Sequence, residues 1–268
     1  MILLEIDGRR AACGTGGTTW QDGRPLLVFI HGAGNDHSVW ALQARALAQS
    51  GWNVLTPDLP GHGQSEDLSS IDSVRDYADW IHRLAESLGH ESYGVVGHSM
   101  GACIAVDLAA SSPERIEKLA ALGAGEAIPV NDTLLENTLQ RPLEAHRFIT
   151  AFGHGRGAHF GRAETPGLWM LGSAMALLDR CAPAVLHRDF AACNEWRGGQ
   201  AASSIRCPTL VLSAAADRMT PPRAGRALAA RVEGARFEIL DDTGHMMMAE
   251  SPSAVTARLR DFLGGASH

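Results

Sequence analysis

Five consecutive apolar residues, Leu26-Leu27-Val28-Phe29-Ile30, run without a polar break into His31-Gly32. A strand with one wet face alternates polar and apolar side chains. A continuous run of this length therefore predicts a strand buried on both faces, as in a parallel sheet covered by helices. The same kind of run recurs, with helix-like segments between. A helical stretch from Val39 to Gln49 leads to a strand over 52–56 that stops before Pro57. A helix is predicted from Ile71 to Leu88, with Asp72 or Asp76 favouring its start and Gly89 ending it. Then come a strand at 93–96, a helix from Ser99 to Ala110 and a strand from Ile116 to Leu122. Alternation of this kind predicts βαβ units and an α/β fold with a mostly parallel sheet.

The rhythm breaks over residues 125–200. No strand stands out there, and Gly, Met, Trp and His accumulate around helical stretches such as 168–179. We read this segment as an inserted, mainly helical cap. After Ser203 the alternation resumes with a strand at 209–213, a helix at 223–231, a strand at 237–240 and a final helix at 247–262. The expected organisation is one core, residues 1–124 and 201–268, interrupted by the cap. A chain of 268 residues is long enough for it.

Gly97-His98-Ser99-Met100-Gly101 carries the chemistry. A G-x-S-x-G match is only moderately specific in a glycine-rich chain, but here a strand leads in and a helix of small residues, Ala102, Ala105 and Ala109, leads out. A nucleophile on so sharp a turn sits in strained backbone space, so its neighbours two positions away must be small. The turn aims the hydroxyl off the sheet edge and sets helix N-terminal amides beside it. The plainer reading is a glycine-rich helix start with Ser99 as its N-cap.

A serine hydroxyl needs a base. Of twelve histidines, His245 follows a predicted strand through the turn-forming Asp241-Asp242-Thr243-Gly244, which places it at the carboxyl edge of the sheet. His31, His62 and His98 flank motif turns, where packing or loop hydrogen bonds account for them; for His154 and His159, inside the insertion, solvent exposure is the simpler reading and a place in the pocket the alternative. The carboxylate that orients the base is assigned to Asp217, which follows the 209–213 strand at the same edge. Asp241 and Asp242 are rivals, but they lie too close in sequence to reach the far nitrogen of His245 easily. Acyl transfer also needs two backbone donors for the developing oxyanion, and those would be Ala33, in His31-Gly32-Ala33-Gly34, and Met100.

Together with Trp40, the run Asp58-Leu59-Pro60-Gly61-His62-Gly63-Gln64-Ser65 and Gly244-His245, these motifs resemble the α/β-hydrolase superfamily, over the whole chain apart from the insertion. The resemblance implies an eight-stranded sheet, a helical lid between the sixth and seventh strands, and no cofactor. Within the superfamily the chain is similar to small serine esterases, lactonases, ring-cleavage-product hydrolases and cofactor-free haloperoxidases. Ser99 argues against relatives that need a carboxylate nucleophile at that position. The 58–65 run reads as a structural turn.

The expected activity is hydrolysis of a carboxylic ester or related acyl bond of a small, largely apolar molecule. Trp169, Met170, Met175, Trp196 and Met246 are expected to line its pocket. A lactonase or a carbon–carbon bond hydrolase is the alternative, with Arg156, Arg162, Arg180, Arg188 or Arg197 gripping a substrate carboxylate. A ligand-binding protein of the same fold, without turnover, is the alternative of another class. Gly32-Ala33-Gly34-Asn35-Asp36-His37 with the later Asp58 mimics a dinucleotide fingerprint, but His37 stands where its third glycine belongs.

Composition restricts the partners. A formal net charge of -7 disfavours nucleic acid and anionic membranes, which need a basic footprint. The five cysteines are odd in number, scattered and never in CxxC pairs, which disfavours a disulfide framework or a zinc site, and no metal is expected. The opening Met1-Ile2-Leu3-Leu4-Glu5 is too short and lacks the basic start of a signal peptide, so a cytoplasmic location is expected. Oligomeric state is not set by these features.

Overall fold

The computed structural model describes residues 1–265. Eight strands form one sheet: β1 (Ile2–Ile6), β2 (Arg9–Gly14), β3 (Leu26–Ile30), β4 (Asn53–Pro57), β5 (Tyr93–His98), β6 (Ile116–Leu122), β7 (Thr209–Ala214) and β8 (Arg236–Leu240). Their spatial order is β1-β2-β4-β3-β5-β6-β7-β8. From β4 to β8 every neighbour pair is parallel, and β1 and β2 add an antiparallel edge. This edge hairpin is absent from the sequence reading above. Its signal is Asp7-Gly8, both with positive φ (55° and 72°), joining Ile6 to its partner Arg9 in a two-residue turn.

Side chains alternate across each strand, so the sheet builds two cores. Leu26, Val28 and Ile30 pack on one face with α2 (Val74–Ser87) and α3 (Met100–Ser111). Leu27 and Phe29 pack on the other with α1 (Ala41–Ala48) and α11 (Pro252–Leu263). The continuous apolar run thus serves two cores at once. Helix α2 starts where Ser73 and Asp76 exchange hydrogen bonds: Asp76 N–H donates to Ser73 Oγ (3.2 Å) and Ser73 N–H to Asp76 Oδ2 (2.9 Å).

Between β6 and β7 the chain forms α4 (Asp132–Gln140), α5 (Pro142–Gly153), α6 (Arg156–His159), α7 (Met170–Arg180) and α8 (Pro183–Glu195), with a small core of their own around Leu134, Leu178, Leu186 and Phe190. Helix α9 (Pro222–Ala229) joins β7 to β8. The expected single terminal helix is two, α10 (Met247–Glu250) and α11. Proline at 252 forces the break, because it lacks an N–H and disfavours helical geometry at Ser251, which adopts φ -134°, ψ 58°. Among the described residues no helix is long and apolar enough to cross a membrane.

Candidate active site

Ser99 sits between the end of β5 and the start of α3 with φ 54° and ψ -119°. That conformation is rare for a residue with a side chain, costs about 1–3 kcal/mol and persists only where its surroundings enforce it. They do so through glycine. A Cβ on Gly97 would collide with the Gly101 carbonyl, and one on Gly101 with the carbonyls of Ile30 and His31. The strand, the helix and the neighbouring β3 therefore close on one another only because both flanking positions lack side chains. Ser99 N–H is pinned to the Leu122 carbonyl at 3.0 Å.

His245 lies on the loop after β8. Its Nδ1 donates to Asp217 Oδ2 at 2.8 Å, which leaves Nε2 as the ring nitrogen available for a proton. Asp217, on the loop after β7, is buried and receives three further donors. These are Thr220 Oγ1 (2.7 Å), Met219 N–H (2.8 Å) and Thr220 N–H (2.8 Å). Burial alone would raise its pKa, but the His245 ring and these hydrogen bonds outweigh it and hold the carboxyl below the usual carboxylate value. A depressed carboxyl contributes stability that is present above its unfolded pKa, about 3.9, and is lost as pH falls through the folded value. The melting-temperature gap between wild type and Asp217→Asn should therefore be largest near neutrality and narrow below about pH 4. Thermal denaturation of both proteins from pH 7 to pH 3 checks this, and a gap that widened on acidification would contradict it. Asp241 and Asp242 are both exposed.

Thr220, Glu250 and the Met246 amide support this loop without a counterpart in the sequence reading, and the loop hydrogen bonding expected of His98 is present. His98 Nε2 donates to the His245 carbonyl at 2.9 Å. Burial and the neighbouring His245 ring lower the His98 pKa to about 3, so that ring stays neutral and keeps its donor role. Glu250 Oε2 accepts from Gly244 N–H (3.1 Å) and from Gly155 N–H (2.9 Å), tying the histidine loop to the helical insertion. Met246 N–H adds a bond to the Gly153 carbonyl at 3.0 Å.

Ser99, His245 and Ala33 line one cavity of about 40 Å³. No hydrogen bond joins Ser99 Oγ to the imidazole among the described residues, a contact that commonly tightens only when substrate is held. The Ala33 and Met100 amides likewise donate to no group among the described residues. A second cavity of about 340 Å³ shares His154, Ala174 and Met246 as its wall with the first. It is lined largely by apolar side chains, among them Leu42, Leu168, Met170 and Leu177.

The pocket residues expected from sequence divide. Met246 lines both cavities and Met170 the larger one. Trp169 is 74% exposed, and Trp196 packs in the core beside α3. Met175 is half-buried and lines neither cavity. An apolar residue type signals burial, not the neighbour it is buried against, and Trp169 stands at the helix edge where one face meets water. His154 is a correction in the other direction. It is buried, bonds the Thr150 carbonyl through Nδ1 (2.8 Å) and separates the two cavities. None of Arg156, Arg162, Arg180, Arg188 and Arg197 lines either cavity. Arg188 instead holds Asp67 (2.8 Å) and the Pro60 carbonyl (2.9 Å).

Asp36, His37 and Asp58 bring three potential metal-ligating atoms within 4.8 Å of one another. Their hydrogen bonds have a structural explanation. Asp58 accepts from His37 N–H (2.8 Å), His37 Nδ1 (2.7 Å) and Gln64 N–H (2.9 Å), and Asp36 caps Ser38. Asp58 thus organises the 58–65 turn.

The profile of the family described as alpha/beta hydrolase fold matches residues 25–252. The pimeloyl-[acyl-carrier protein] methyl ester esterase of Aromatoleum aromaticum is 28% identical, over 90% of this chain and 99% of that one. The (E)-2-((N-methylformamido)methylene)succinate hydrolase of Acinetobacter baylyi is 24% identical, over 90% and 91%. Among solved structures, the enol-lactonase from Burkholderia xenovorans LB400 superposes with a TM-score of 0.89 over 98% of this chain and 99% of that one. At 24% identity this is a likeness of fold.

Proposed function

The chain belongs to the alpha/beta hydrolase fold family, and on that premise we propose that it is a serine hydrolase cleaving a carboxylic ester or related acyl bond through an acyl-enzyme. The observation that carries this reading is the 2.8 Å contact between His245 Nδ1 and the carboxylate of Asp217. With Nδ1–H committed to buried Asp217, Nε2 is the basic nitrogen in a cavity that also holds a serine at positive φ. In the proposed cycle Ser99 Oγ attacks the substrate carbonyl carbon as His245 Nε2 takes its proton. The carbonyl oxygen becomes an oxyanion beside the Ala33 and Met100 amides. Collapse expels the leaving alkoxide, which receives the proton from His245. Water, deprotonated by the same nitrogen, then attacks the acyl-enzyme, releasing the carboxylic acid and Ser99.

The cavity at Ser99 is small, and in this reading the rest of the substrate extends into the larger cavity beyond Met246 and His154. That cavity is apolar and has no lysine or arginine in its lining. The preferred substrates are therefore neutral, with a short to medium apolar chain. For p-nitrophenyl esters, kcat/KM should rise by up to about fourfold for each methylene buried, the equivalent of about 0.8 kcal/mol, until the cavity is full. A chain-length series, run beside lactones and an ester carrying a free carboxylate, tests this. Faster cleavage of the carboxylate-bearing ester would overturn the apolar assignment. Many turnovers per protein distinguish an enzyme from a binding protein of the same fold, which would release one equivalent and stop.

A further inference from the structure

Asp189, on α8, has no exposed surface, and its neighbours Phe190, Ala192 and Cys193 are buried with it. A carboxylate is retained in such surroundings only when donors and a counter-charge surround it. Three segments of the core supply them. Tyr77 Oη, from α2, donates to Oδ1 at 2.7 Å. His62 Nε2, from the turn after β4, donates to Oδ2 at 2.8 Å. Gly34 N–H, from the loop after β3, donates to the same Oδ2 at 3.0 Å. The other nitrogen of His62 faces the Pro60 carbonyl at 3.2 Å, so both ring nitrogens face acceptors, an arrangement that favours the protonated ring. Burial opposes that charge, but Asp189 outweighs it and keeps the His62 pKa well above the usual histidine value.

The Gly34 contact bears on catalysis. Gly34 is the residue after Ala33, and its N–H belongs to the peptide that follows the proposed oxyanion donor. Gly34 adopts φ +67°, and a Cβ there would stand 2.7 Å from Leu186 and 2.8 Å from Leu178, both from the helical insertion. The insertion therefore lies close against this peptide, leaving no room for a side chain at Gly34, and holds its N–H with one carboxylate.

We propose that Asp189 is a positioning residue: by fixing the Gly34 peptide, its carboxylate sets the Ala33 amide where the oxyanion forms. The proposal rests on the serine-hydrolase reading above. It makes α8 part of the frame of the reaction centre, in addition to a wall over it. Displacing a donor by a fraction of an ångström from a developing charge lowers the rate without weakening substrate binding in the ground state.

Asp189→Ala is expected to lower kcat by roughly 10–100-fold, less than outright loss of an oxyanion donor, with KM within about threefold. Affinity for a trifluoromethyl ketone, which forms a tetrahedral adduct, should fall in step with kcat. Asp189→Asn is expected to recover at least about tenfold of the loss, because one amide orientation accepts from Gly34 and a neutral His62 while donating to Tyr77. A folded Asp189→Ala protein with unchanged kcat and ketone affinity would overturn the proposal. So would a rise in KM alone, or an Asn variant no better than Ala. Should Asp189→Ala fail to fold, selective ¹⁵N-glycine labelling reads the Gly34 amide in the wild type. Exchange at least about 100-fold slower than in an open chain is expected, and exchange at the open-chain rate would overturn the proposal. Ser99→Ala is the control for the premise. If Ser99→Ala still turns over, the serine-hydrolase reading fails; if it is dead while Asp189→Ala is silent, only the role of Asp189 fails.

Discussion

Ser99→Ala is expected to lower kcat by on the order of 10³-fold or more, with the fold intact. The substitution removes one oxygen from a half-buried position and leaves the elbow's geometry to Gly97 and Gly101, whose contacts impose it. Alanine meets the same strain at φ 54° as serine, so the melting temperature should change little. In the proposed cycle the substitution removes the nucleophile, and Thr150, which also lines the cavity, does not stand on the elbow. His245 could at best activate a water directly, and the residual rate would come from that water and from the oxyanion donors. Initial rates with a p-nitrophenyl ester, alongside thermal denaturation of both proteins, measure the two quantities. A loss of less than about tenfold in a folded protein would show that Ser99 is not the nucleophile.

Asp217→Asn should cost on the order of 10³–10⁴-fold in kcat, again with the fold retained. The carboxylate does two things for His245. In the proposed cycle it fixes the proton on Nδ1, leaving Nε2 to accept one, and it stabilises the imidazolium that would form as Ser99 gave up its proton. An asparagine whose NH₂ faced Nδ1 would favour the other tautomer and place the proton on the nitrogen that must accept one. Thr220 touches Nδ1 at 3.2 Å but carries no charge, so it cannot substitute. Asp241→Asn, at an exposed position beyond β8, should be silent in the same assay. Reversal of these two results would mean that the carboxylate orienting His245 had been assigned to the wrong loop.

That Ser99, Asp217 and His245 come together at one sheet edge was legible in the sequence because each placement depends on local chain chemistry. The elbow needs two glycines at fixed offsets, Asp217 follows closely on a strand, and His245 follows one through a turn-forming run. The continuous strand at Leu26–Ile30 announces a parallel sheet for the same reason: burial on two faces leaves no room for polar alternation. The N-terminal hairpin left its own signal in Asp7-Gly8, but the arginines at 9 and 10 and the short flanking runs obscured the strands. The split of the last helix was also written in the chain, at Pro252.

Other features depend on partners far away in sequence. Asp189 meets Gly34, His62 and Tyr77 across 155, 127 and 112 positions. Nothing near Asp189 in the chain names these partners, although a lone carboxylate beside Phe190, Ala192 and Cys193 is a hint that it is paired. Glu250 is similar, because its bond to Gly155 spans 95 positions. Pocket lining was legible only in part, for a related reason: Met246 and Met170 line the cavities, but the tryptophans do not. Trp169 and Trp196 are equally apolar on paper, yet one is exposed and the other lies in the core, since the packing of the insertion and not residue type decides what faces Ser99.

The central claim is that Ser99 forms the covalent intermediate, and peptide mapping of a fluorophosphonate adduct tests it most directly. Wild-type protein should take up one equivalent, with the added mass confined to the peptide containing Ser99. Pre-incubation with a good substrate should slow the labelling, and Ser99→Ala should take up none. An adduct on another serine, or full turnover by a protein that the probe never labels, would contradict the account.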